Sequence, residues 1–114
     1  MIELTAYGDF NCPFSALASA RLEELERRGV ASGEWRAVEH DTRIPPAGLD
    51  VSGDLADMLT SELDRIRDLL APGEPDRLRL PVRQVSTALA TRRYAGTPGE
   101  ARPAVRQGIF GAHW

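Results

Sequence analysis

The sequence has one cysteine among its 114 residues, Cys12, which excludes any internal disulfide framework. Only two histidines accompany it, and no Cys/His cluster has the spacing of zinc ligands, so no metal site is expected. No stretch approaches the roughly 18 apolar residues of a membrane span. The opening Met-Ile-Glu-Leu-Thr-Ala-Tyr lacks the basic segment and long apolar run of a secretory signal. A soluble protein in the reducing cytoplasm, without a membrane partner, is the expectation. Charge of one sign is not concentrated anywhere: 14 basic and 17 acidic residues are spread along the chain and leave a net −3. That distribution offers no footprint for nucleic acid. Internal repeats, low-complexity segments, a phosphate-binding glycine loop and a serine-hydrolase motif are all missing. What remains is a composition that is 42% hydrophobic, ordinary for one domain able to bury a core.

Hydrophobic periodicity supplies the element order. Ile2 to Tyr7 alternates and carries β-formers, so it reads as a strand, followed by a polar turn at Gly8-Asp9-Phe10-Asn11. From Phe14 to Arg28 the period becomes helical, with Phe14, Leu17, Ala18, Leu22 and Leu25 on one side, and Gly29 ends the run. Glu34 to His40 reads as a second strand. Residues 1–40 therefore form a β-α-β unit whose right-handed crossover makes the strands parallel. Asp41 to Val51, with Pro45-Pro46 and Gly48, is a loop. Ser52 offers an N-cap to a helix carrying the strongest amphipathic stripe of the chain: Leu55, Leu59, Leu63, Ile66 and Leu70. Ala71-Pro72-Gly73 ends it. Pro72, Pro75 and Pro81 bracket an extended piece, Val82 to Ala95 looks helical, and a last helix is expected to start near Pro103.

The stretch Asp9-Phe10-Asn11-Cys12-Pro13-Phe14-Ser15 carries the chemistry. With Pro13 in the first helical turn, where its missing N–H costs nothing, Cys12 falls at the N-cap, its sulfur facing unpaired backbone N–H groups. Such a position favours thiolate, the nucleophilic form. A lone cysteine is commonly a small buried hydrophobe. Here the strand before it, the proline after it and the amphipathic helix beyond favour a functional thiol. Ser15 occupies the place where a dithiol motif has its second cysteine. It cannot close a disulfide, but its hydroxyl can donate a hydrogen bond toward the thiolate or an attacked sulfur. A mixed disulfide formed at Cys12 must then be released by an external thiol.

The run Tyr-Gly-Asp-Phe-Asn-Cys-Pro-Phe-Ser-Ala-Leu-Ala, followed by Arg-Leu-Glu-Glu-Leu and Glu-Trp-Arg-Ala-Val-Glu, resembles the opening of the DsbA-like thioredoxin-fold oxidoreductases, including the FrnE-like group. The likeness implies an α/β fold: a thioredoxin-like β-α-β unit over 1–40, a loop over 41–51 and a helical insertion over 52–114. Residue by residue, Cys12 matches the nucleophilic cysteine, Pro13 the intervening proline, Phe14 the variable aromatic position and Ser15 the resolving cysteine. Cys12 and Ser15 would be catalytic, Pro13 and Phe14 would meet the substrate. The kappa-class glutathione transferases and the 2-hydroxychromene-2-carboxylate isomerases have a similar motif with serine serving a bound glutathione. The resemblance thus implies a monothiol exchange protein, with a glutathione-dependent isomerase or transferase as the alternative. No tightly bound cofactor is implied, but glutathione or another low-molecular-weight thiol would be a cosubstrate, and a small thiol or disulfide the substrate. The family's cis-proline loop, C-terminal hairpin and closing helix have no counterpart in the sequence. The resemblance therefore also implies a homo-oligomer or a complementing chain, or else a truncated product, a noncatalytic interaction module.

Other residues are read more plainly. His40, beside Glu39 and Asp41, is expected as a solvated turn histidine, and His113 is a still weaker base. Asp9 and Glu39 are read as surface carboxylates, with tuning of a proton near the thiol as the rarer role. Trp35 and Phe10 are read as core.

Overall fold

The computed structural model describes residues 1–114. Strand β1 (Ile2–Gly8) is followed by helix α1 (Pro13–Arg27) and strand β2 (Ala31–Ala37), which pairs in parallel with β1 from Ile2↔Ala31 to Gly8↔Ala37. The β-α-β expectation for the first forty residues is met in kind, but β2 begins three residues earlier than the Glu34 start read from sequence. The reason is a tight helix stop. Gly29 adopts φ 71°, its N–H donates to Glu26 O and the Val30 N–H donates to Leu25 O, so the chain reverses within two residues and enters the sheet at once. Trp35 accordingly sits inside the strand rather than at its start.

After a loop come a two-residue strand β3 (Leu49–Asp50), helix α2 (Gly53–Leu69), a second short strand β4 (Arg83–Gln84), helix α3 (Ala88–Ala95), a 3₁₀ turn (Gly99–Ala101) and helix α4 (Arg102–His113). Two sequence expectations are corrected here. Residues 82–87 are not helical: β4 pairs antiparallel with β3, with Val51 N–H donating to Val82 O at 3.0 Å. β-branched Val82 and Val85 suit extended backbone, and a tertiary partner 33 residues away outweighs local helical patterning. The loop over 41–51 in turn carries β3. Gly48 is required there, because at φ 77° a Cβ would also lie 2.9 Å from Gln84 O. Ser52 has the extended backbone of an N-cap, but its side chain makes no capping hydrogen bond.

The core lies on one face of the β1–β2 ladder. Phe10, Ala16, Leu22, Trp35, Tyr94 and Phe110 form one buried cluster drawn from β2, α1, α3, α4 and the turn after β1. Edge-on aromatic contacts organise it: Trp35 meets Phe110 at 5.5 Å and Phe10 meets Tyr94 at 5.8 Å between ring centroids. Gly33 lets α1 seat on β2, since a Cβ there would fall inside Leu22. Arg106 is buried in the same layer; its Nε donates to Ser19 Oγ at 2.9 Å and its guanidinium lies over the Trp35 ring at 5.8 Å. Of the α2 stripe, Leu59, Leu63 and Ile66 are buried, and α2 packs beside α1. Arg21 ties the two helices, donating to both Glu74 carboxylate oxygens at 2.9 Å and to Leu69 O at 2.8 Å. No helix is long and apolar enough to cross a membrane.

Candidate functional site around Cys12

In the parallel pair both strands end on the same side, and the turns leaving them bring Asp9–Cys12 and His40 together. Cys12 is the N-cap of α1 (φ −105°, ψ 122°), with Pro13 opening the helix. Its thiol is partly exposed and caps no backbone N–H through its side chain. The turn is closed by the Cys12 N–H donating to Asp9 O at 3.1 Å. Pro13 is buried, which fixes the helix start and leaves Phe14 as the member of the pair that solvent reaches. Arg65 of α2 lies over the Phe14 ring at 5.7 Å, which ties α2 to the opening turn of α1.

Ser15 stands one turn into α1. Its Oγ accepts the Asp9 N–H at 3.2 Å, using the acceptor side of the hydroxyl and leaving its proton to be donated. Gly8 makes this closeness feasible: a Cβ there would stand 2.7 Å from Ser15 Oγ and 2.5 Å from the Trp35 ring. The strand end, the serine and the indole therefore meet at a point where only a hydrogen fits.

Asp9 is the main departure from the sequence reading. It is not a surface carboxylate but is 2% exposed, and it is saturated with donors. The His40 backbone N–H donates to Oδ2 at 2.9 Å, His40 Nδ1 lies 2.6 Å from the same oxygen, and Thr87 Oγ1 donates to Oδ1 at 2.5 Å. A buried carboxylate is tolerated only with such compensation. His40 is thus a fastened histidine rather than a freely solvated one, although about half of its side chain is exposed. With Nδ1 held by the carboxylate, Nε2 is the nitrogen left to solvent or a ligand.

The residues that hold this turn come from far along the chain. Asn11 is buried and donates from Nδ2 to Val85 O at 2.8 Å, Gln84 Nε2 donates to Asn11 O at 3.1 Å, and Trp114 Nε1 donates to Phe10 O at 3.1 Å. Asn11 Oδ1, Gln84 Oε1 and His113 Nε2 are buried without partners, so the layer beneath the thiol turn is polar and incompletely paired. Burial pushes the His113 imidazolium below its usual range, opposed by the Asp9 charge. Thr87, Gln84, Val85 and Trp114 were not legible as site residues, because no local pattern marks a partner 73 or more residues away. The polar run Asp9-Phe10-Asn11 at a strand end was the available signal.

No protein-family model, no curated protein and no solved structure matches the chain. The fold itself defines a compact α/β protein with a small sheet and flanking helices.

Proposed function

We propose that the chain is a monothiol thiol–disulfide exchange protein with a thioredoxin-like β-α-β unit of the DsbA-like kind, in which Cys12 is the nucleophile. The observation that carries the reading is the position of Cys12: a partly exposed thiol at the N-cap of a 15-residue helix, after the parallel strand and directly before a buried helix-opening proline. The first turn of a helix presents unpaired N–H groups that stabilise a sulfur anion. The layer of Asp9, Thr87 and His40 beneath the turn holds it in shape.

The step is an exchange. Thiolate of Cys12 attacks one sulfur of a small disulfide, the Cys12–sulfur bond forms as the old S–S bond breaks, and the other half leaves as a thiolate. Ser15 has no sulfur with which to resolve the product. A second low-molecular-weight thiol, glutathione or another, attacks the mixed disulfide and restores Cys12, and the reducing cytoplasm would supply it. The Ser15 proton is available to the leaving sulfur.

The test compares the rate at which the folded chain and the urea-unfolded chain react with glutathione disulfide at the same pH, with the adduct located by mass spectrometry. The expected result is a folded rate at least about tenfold above the unfolded one, abolished by Cys12→Ser. Equal rates would overturn the proposal. Saturable glutathione binding without any adduct would favour the isomerase or transferase alternative.

A further inference from the structure

Asp9 has more donors than the turn needs to keep its shape. The His40 backbone N–H at 2.9 Å on Oδ2 and the Thr87 hydroxyl on Oδ1 already give each carboxylate oxygen a partner. The His40 ring adds a third donor at 2.6 Å, and that bond sets its tautomer: in the neutral ring Nδ1 carries the proton offered to the carboxylate, and Nε2 keeps a lone pair. Thr87 clamps the second oxygen, so the carboxylate plane and the direction of the ring are both fixed. Nε2 has no protein partner, on a side chain that is 54% exposed.

The same Asp9 holds the turn of the thiol. Its carbonyl accepts the Cys12 N–H at 3.1 Å, closing a β-turn whose ends lie within about 7 Å of one another. Gly8 O accepts the Val38 N–H just past the last pair of the ladder, so the two chains leave the sheet side by side. Cys12 and His40 follow directly on those two strand ends. One buried residue thus fastens a thiol turn through its backbone and an imidazole through its carboxylate, and both of those residues are partly exposed at one end of the sheet. Asp9 is the charge that touches the ring. Its chain neighbours are Glu39 and Asp41, the latter bridged by Arg43, and from α4 His113 feels the same Asp9 carboxylate.

We propose that His40 is the proton acceptor of Cys12 and that Asp9 is the residue that positions it. The inference rests on the exchange reading above. The Cys12 S–H proton passes to His40 Nε2, directly or through one water, leaving a thiolate beside an imidazolium whose Nδ1–H stays on Asp9. The thiolate attacks one sulfur of the small disulfide. As that S–S bond breaks, the leaving sulfur takes the proton back from Nε2, so a neutral thiol departs and the ring is neutral again. In the second half, Nε2 receives the proton of the incoming low-molecular-weight thiol and delivers it to the Cys12 sulfur as the mixed disulfide breaks.

His40→Asn tests the assignment, because the asparagine Nδ2 can replace Nδ1 as the donor to Asp9 while the distal nitrogen is lost. Rates with glutathione disulfide are measured for both full chains at about pH 6.5 and about pH 9.5, below and above the ordinary thiol ionisation at about 8.5. The variant should be at least about tenfold slower at the lower pH and equal to the wild type at the higher one, where hydroxide removes the proton unaided. Equal rates at the lower pH, or the same loss at both, overturn the inference while leaving the exchange reading intact. A folded wild-type chain that reacts no faster than the urea-unfolded one overturns the exchange reading, and this inference with it. A second readout needs no His40 variant: the ring signals of His40 are titrated by NMR before and after Cys12 is blocked with iodoacetamide. Blocking removes the thiolate that pairs with the imidazolium, so the ring should lose its proton at a lower pH. An unchanged titration overturns the pairing.

Discussion

Replacing Asp9 with alanine should be among the most damaging single changes in the protein, and its cost can be worked from its partners. The substitution strips the acceptor from three donors: the His40 N–H, His40 Nδ1 and Thr87 Oγ1. They are not equally harmed. His40 is about half exposed and can turn to water, whereas Thr87 is 2% exposed and its hydroxyl would be stranded. A buried unsatisfied group costs about 1–3 kcal/mol, and losing the charge-assisted bonds to His40 adds about 1 kcal/mol, giving a loss of roughly 2–4 kcal/mol. At about 4 °C per kcal/mol for a domain of this length, the thermal midpoint should fall by roughly 8–16 °C. Urea unfolding followed by Trp35 and Trp114 fluorescence at neutral pH measures the free-energy loss, and thermal unfolding measures the midpoint. The sharper test is Thr87→Val in both backgrounds. In the native chain it removes a bond and should cost about 1–2 kcal/mol. In the Asp9→Ala chain it removes a stranded hydroxyl and should be neutral or stabilising. An equal cost in the two backgrounds would show that the buried network does not work as described.

Two further outcomes follow from the geometry. Gly8→Ala must displace the Trp35 ring or Ser15, since the added carbon would lie 2.5 Å from one and 2.7 Å from the other; a loss of about 1–3 kcal/mol in urea is expected, with a change in tryptophan emission. Glu74, held by Arg21 at a pKa of about 2 against 4.5 when free, contributes stability that is complete above about pH 4.5 and lost as pH falls toward 2. Because Arg21 is 44% exposed, Glu74→Gln should cost only about 0.5–1 kcal/mol at neutral pH, and the difference between the two proteins should vanish near pH 2.

What could be read in advance divides along physical lines. The β-α-β unit was legible because its signals are local: alternation in β1, a 3.6-residue stripe in α1, and Gly29 at the only kind of stop a left-handed residue makes. Pro13 likewise announced where α1 begins and hence where Cys12 sits. The β3–β4 ladder was not legible, because two residues on each side carry no period and Val82–Gln84 is extended only through its partner. The same limit hid the surroundings of the thiol. Asp9 and His40 looked like turn residues that water would claim, and only the arrival of Thr87 and the crossing of the chain over Asn11 take Asp9 out of solvent.

The dependence of the thiol turn on Val85, Thr87 and Trp114 has a consequence for synthesis. As the chain leaves the ribosome, β1, α1 and β2 can pair early and the bend at Cys12 can close on Asp9 and Ser15, yet its long-range anchors wait until residues up to 114 have emerged. During that interval the bend lacks its hydrogen bonds to Gln84, Val85, Thr87 and Trp114, and the surroundings of Cys12 are completed only when the end of the chain docks.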